Sequence, residues 1–168
     1  GITFGAGSTI DVTQLVASGL NMSNDAFNAV LADEANRMQF SGGSGQVTNR
    51  GQIEAQSVYL IGKKVENFGS IVAPGGLVVM AAGDSVYLGQ DGSSILVRVD
   101  TDPLDPTADV SNEGSVTAQN GSIVLAAGDR FARAISNVGT LAAHAGTITA
   151  DAGRIENSGT MDADALGS

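Results

Sequence analysis

The chain has 168 residues and no cysteine, so neither a disulfide framework nor a thiolate metal centre is open to it. Its 42% hydrophobic content is aliphatic, with 23 glycines and only 4% aromatics, which excludes a wide core filled by rings and favours a narrow one lined by Val, Ile, Leu and Ala. The net charge of −10, from 18 acidic and 8 basic residues without a basic cluster, argues against nucleic acid and anionic membrane surfaces. No run reaches the roughly eighteen apolar residues of a membrane span.

In chain order, the first stretch, GITFGAGSTIDVTQLVASGL (1–20), has no copy later in the chain. Next, NDAFNAVLADEANRM (24–38) puts Phe27, Val30, Leu31, Ala35 and Met38 on one helical face behind Ser23 as N-cap. That spacing predicts a short α-helix near 25–38, outside the main body. From residue 47 one nine-residue phrase recurs: VTNRGQIEA (47–55), VENFGSIVA (65–73), VSNEGSVTA (110–118), ISNVGTLAA (135–143) and IENSGTMDA (155–163). Its apolar residues alternate, a strand signal, and the central Asn-x-Gly breaks the strand at a corner. The corner pairs are Asn49 and Gly51, Asn67 and Gly69, Asn112 and Gly114, Asn137 and Gly139, and Asn157 and Gly159. Positive φ is expected at most of these glycines, the region that lacks a Cβ penalty.

Successive repeat asparagines are 18, 45, 25 and 20 residues apart. The gap of 45 reads as two periods, with GQDGSSI (89–95) as a degenerate copy inside it. Between copies, VVMAAGDSVYL (78–88) matches IVLAAGDRFAR (123–133), and TITADAGRIEN (147–157) is a looser relative. DTDPLDPTAD (100–109), with two prolines and four aspartates, is expected to project as a loop. Asn120-Gly121 reads as a tight turn.

A unit of 18–25 residues with such short turns has no room for a helix and cannot bury its own apolar face, whereas stacked units can. The expected fold is therefore all-β: a parallel β-helix of about eight coils at β-stacking distance. It forms one domain over 1–168, with 47–168 as repeated coils and 1–46 as an N-terminal part carrying the helix. Val47, Ile53, Ile71, Val116, Ile123, Leu125, Leu141 and Ile148 are expected to point inward. The repeated asparagines either bond from coil to coil as a ladder or serve five separate, locally satisfied turns.

The stretches 1–20, FSGGSGQVTNRGQIEA (40–55) and LVVMAAGDSVYL (77–88) together resemble the filamentous-haemagglutinin-like secretion domain. That domain opens exoproteins exported by bacterial two-partner secretion. The family carries Asn-Pro-Asn-Gly-Ile followed shortly by Phe-Gly; this chain supplies Gly1, Ile2, Phe4 and Gly5 but not Asn-Pro-Asn. The resemblance implies a right-handed parallel β-helix, a non-enzymatic domain recognised through these four residues by the POTRA domains of an outer-membrane transporter. It further implies transit through the periplasm of a Gram-negative-type bacterium, and a secreted or cell-surface adhesin that meets a host-cell or neighbouring-cell receptor. On this reading the chain is an excerpt of a longer exoprotein, and the coils from 110 onward are interchangeable spacer. A passive β-helical stalk or autotransporter-passenger segment has the same fold.

No catalytic residue, metal site or cofactor is expected. His144, the single histidine, sits in AAHAGT as a corner residue, and Asp84 and Asp129 recur in Gly-Asp turns. The loop acids Asp100, Asp102, Asp105 and Asp109 are the best calcium candidates, but two prolines break their spacing. A β-helical polysaccharide-active enzyme needs a carboxylate pair in a cleft and aromatic platforms, and tryptophan is absent.

Overall fold

The computed structural model describes residues 1–24, 37–91, 94–101, 109–128 and 135–164. Strands wind through these residues as stacked coils. The first coil holds β1 (Ile2–Phe4) and β2 (Thr9–Ser18); after β3 (Arg37–Ser41) the second holds β4 (Gln46–Asn49) and β5 (Gln52–Gly62). The third comprises β6 (Lys64–Asn67), β7 (Ser70–Val72) and β8 (Leu77–Ala82), followed by β9 (Ser85–Asp91) and β10 (Ser94–Asp100), which leave the stack. The fourth contains β11 (Asp109–Asn112), β12 (Ser115–Thr117) and β13 (Ser122–Ala127), the fifth β14 (Ile135–Asn137), β15 (Thr140–Ala142) and β16 (Thr147–Asp151). β17 (Ile155–Asn157) and β18 (Thr160–Asp162) begin the sixth.

The first face is a six-stranded parallel sheet, β1-β4-β6-β11-β14-β17. The other two faces merge in a nine-stranded sheet, because β2 and β5 run unbroken past a corner that later coils turn sharply. β5 accordingly pairs with β7 along its first half and with β8 along its second. The chain is a parallel β-helix.

Inward columns are chemically uniform. Val47, Val65, Val110 and Ile135 lie in register on the first face and are fully buried. Ile53, Ile71, Val116 and Leu141 line the second, and Val58, Val78 and Ile123 the third. Leu125 is likewise buried, and Ile148, near the end of the stack, is half-buried against the same core. Each buried aliphatic side chain contributes about 1.5–3 kcal/mol of transfer free energy, so stacking supplies what one coil lacks.

Six coils stand where about eight were expected, giving five intervals of about 4.8 Å and a core roughly 24 Å long among the described residues. The difference lies in the 45-residue gap. Asn67 and Asn112 are neighbouring rungs, joined by a 2.8 Å hydrogen bond, so one coil and not two separates them. The stretch 89–95 is no coil: β9 and β10 pair antiparallel, from Ser94 with Asp91 to Asp100 with Ser85.

β3, β9 and β10 form a three-stranded antiparallel sheet over the outside of the third face. Leu20, Phe40, Val86 and Leu88 pack there against Tyr59, Ile61, Val79, Ala81 and Ala126, the outward residues of β5, β8 and β13. This second core explains the uninterrupted apolar run 77–82: the strand is buried on both sides, as in covered parallel sheets. β16 lies beyond the cover and reverts to strict alternation.

The last two residues of the helix expected near 25–38 are strand instead. Arg37 and Met38 belong to β3, paired with Gly89 and Leu88, because the edge of β9 takes their backbone and the second core takes the Met38 side chain; residues 25–36 lie outside the described residues. In the 100–109 stretch, Asp100 closes β10 and Asp109 opens β11 beside Lys64; Asp102 and Asp105 lie outside the described residues, as does Asp129.

The corners carry a further correction. None of Gly51, Gly69, Gly114, Gly139 and Gly159 has positive φ. They are required by close approach: a Cβ on Gly69 would sit 2.1 Å from the Gly51 carbonyl oxygen, one on Gly114 2.1 Å from that of Gly69, and one on Gly139 2.0 Å from that of Gly114. Positive φ belongs to the next corner, at Gly75 (69°), Asn120 (54°) and Ala145 (54°). Each is followed by a glycine, 76, 121 or 146, that is itself stacked too tightly for a Cβ.

Candidate functional site at the two ends of the stack

At the amino end, Gly1, Ile2, Phe4 and Gly5 are brought together by β1. Pairing with β4 places Ile2 beside Val47, Thr3 beside Thr48 and Phe4 beside Asn49. Ile2 and Phe4 are half-buried over the end of the core, with Ile10 and Leu15 of β2 alongside. The turn into β2 is closed by the Ser8 amide and hydroxyl, which both donate to the Gly5 carbonyl at 3.0 and 2.8 Å, with Gly7 at φ 82°. Gly1 is required sterically, since a Cβ would meet the Gln46 carbonyl at 2.7 Å, whereas nothing lies within 4 Å of a Cβ on Gly5.

Phe4 has a specific neighbour. It occupies the register position that asparagine fills in every later coil. Asn49 donates from Nδ2 to Asn67 Oδ1, Asn67 to Asn112, Asn112 to Asn137 and Asn137 to Asn157, each at 2.8 Å. The first four are fully buried. Among the described residues the ladder starts at Asn49, whose Oδ1 accepts from the Gly51 amide at 3.1 Å, and Phe4 holds the next register position on β1.

The exposed edge of β2 completes this end. β2 pairs only with β5 among the described residues, and Val12 and Val16 stand 42% and 41% exposed. Asp11 and Glu54 lie opposite each other on neighbouring strands and line a shallow groove with Pro74. A second groove runs between Thr9, Arg50 and Ser70, where the Arg50 guanidinium stacks 4.3 Å over the Phe68 ring.

At the carboxyl end, His144 is a corner residue between β15 and β16. Its Nδ1 lies 2.7 Å from Asp164 Oδ1, with Asp162 adjoining. That hydrogen bond, reinforced by both carboxylates, holds the imidazole pKa above its ordinary value. Asp84, the recurring turn acid that is described, accepts from Lys63 Nζ at 2.5 Å where the chain leaves the third coil for β9. Sequence reading overlooked Asp162 and Asp164, although Asp164 follows His144 by the same 20 residues that separate Asn137 from Asn157.

No family model matches the chain, and no curated protein matches it. Among solved structures the fold is similar to the crystal structure of the HMW1 secretion domain from Haemophilus influenzae. The match has a TM-score of 0.60 at 18% identity and covers 99% of this chain. The chain spans 62% of the length of that structure. At this identity the likeness establishes the fold alone.

Proposed function

We propose that the chain is the secretion domain of a bacterial two-partner-secreted surface exoprotein, a non-enzymatic module recognised by the POTRA domains of an outer-membrane transporter. The supporting observation is the structural likeness to a secretion domain over 99% of the chain. On this reading the parent is an adhesin of the filamentous-haemagglutinin type, secreted or held at the cell surface after crossing the periplasm.

Recognition is assigned to Gly1, Ile2, Phe4 and Gly5 with the open edge of β2. These residues do not repeat, and the half-burial of Ile2 and Phe4 leaves apolar surface for a partner. Seeding follows from the same geometry. Each coil offers the next a row of backbone donors and acceptors, an aliphatic column and an asparagine amide, so folding propagates by local templating.

The test is Ile2→Asp/Phe4→Ala in the full-length parent, expressed with its transporter. Surface appearance is expected to fall, with chain trapped in the periplasm, and the purified variant domain is expected to lose pull-down by POTRA domains while keeping a strand-type circular dichroism spectrum. Undiminished export and pull-down would instead favour the passive stalk.

A further inference from the structure

We propose that His144, Asp162 and Asp164 form a binding site for a first-row divalent cation of zinc type at the carboxyl end of the stack. One ligand atom from each lies within 4.8 Å of the other two, and this is the one such group among the described residues. An imidazole nitrogen with two carboxylate oxygens suits zinc, whereas calcium and magnesium prefer all-oxygen sets. Zinc–ligand bonds of about 2.0–2.2 Å at tetrahedral angles put ligand atoms about 3.4 Å apart. Side-chain rotation therefore has to open the 2.7 Å contact between His144 Nδ1 and Asp164 slightly, and to close the widest separation by about an ångström and a half.

The backbone beneath these side chains is held by the coil-to-coil ladder. The Ala143 amide donates to the Asp162 carbonyl at 2.8 Å, the Ala145 amide to that of Asp164 at 2.6 Å, and the Asn120 amide to that of His144 at 2.7 Å. Two consecutive corners thus present their ligands on fixed supports. The Asp164 amide also donates to Asp162 Oδ1 at 3.1 Å, which orients that carboxylate. The half-exposed site leaves the remaining coordination positions to water. Bound metal would clamp the sixth coil to the fifth.

The experiment is calorimetric titration of the 168-residue protein with zinc chloride at neutral pH, with calcium chloride as competitor. One zinc per chain is expected, with affinity reduced tenfold or more in His144→Ala and in Asp164→Asn, and unchanged in Asp11→Asn at the opposite end. Millimolar calcium should not displace it. Absence of zinc binding, equal affinity in His144→Ala, or displacement by calcium would each overturn the assignment. Because His144 is exposed enough to be replaced without unfolding, unchanged circular dichroism of the variants makes each result interpretable.

Discussion

Asn67 shows how much one repeated side chain carries. It accepts from Asn49, donates to Asn112 and lies fully buried. Asn67→Ala would leave a donor on Asn49 and an acceptor on Asn112 without partners, each costing about 1–3 kcal/mol. Urea denaturation should therefore show a loss of about 3 kcal/mol, against about 1 kcal/mol or less for Asn157→Ala, whose residue is exposed at the end of the ladder. Glycines divide in the same way. Gly114→Ala must force its Cβ off the Gly69 carbonyl, which is rigid backbone, and should cost about 3 kcal/mol, the upper range of overpacking. Gly5→Ala, with open space around it, should stay within about 0.5 kcal/mol. Equal losses would mean that the stacked carbonyls yield more readily than their spacing indicates. That these positions are special was legible in the repeat; the reason was not. An Asn-x-Gly corner suggests positive φ, yet the limiting quantity is the distance to the neighbouring coil, which only stacking creates.

Among elements, the third face is the one whose sequence reads ambiguously. Tyr59, Val79, Val124 and Thr149 form a single outward row across β5, β8, β13 and β16. Val79 is fully buried under the antiparallel sheet, while Thr149 is exposed beyond it. Val79→Lys should destabilise by about 3 kcal/mol or more, since an unpaired charge beneath apolar cover is expensive, and Thr149→Lys should be nearly neutral. In hydrogen exchange, Val79→Lys should first release the amides of β3, β9 and β10 while β6 and β14 keep their protection. Simultaneous release of all five strands would show that the added sheet is inseparable from the coils. The uninterrupted apolar residues at 77–82 are the mark that double burial leaves on the sequence, and they do not reveal the covering element. That cover comes from β3, 36 residues before β8 at the nearest (41 to 77), and from β9 and β10 after it.

For the whole molecule, the coils differ in what they support. The fourth coil contributes Ala126, with Val124 beside it, to the second core and is more than a spacer. The fifth contributes nothing to that core among the described residues, and Ile135 and Ile155 are register equivalents. Deleting 135–154 should therefore bring Asn157 onto Asn112, preserve cooperative unfolding with a modestly lower midpoint, and leave export of the full-length parent intact. Export lost as fully as in Ile2→Asp/Phe4→Ala would place recognition along the entire stack.

The five Asn-x-Gly phrases pointed by themselves to a stack of short parallel strands, because a repeated unit of 18–25 residues with alternating apolar residues cannot bury its face alone and buries it by stacking on its neighbours. They also determined which aliphatic residues line the core, from Val47 to Leu141. Tertiary structure alone decided how many coils there are, since the residues between Asn67 and Asn112 leave the stack to pair antiparallel outside it, and an excursion looks like an extra period when only spacing is read. It alone decided that Met38 is in a strand, through a free edge and a second core formed by distant residues. It alone set His144 beside Asp162 and Asp164: side chains one coil apart in sequence become neighbours only when successive coils settle one strand spacing apart.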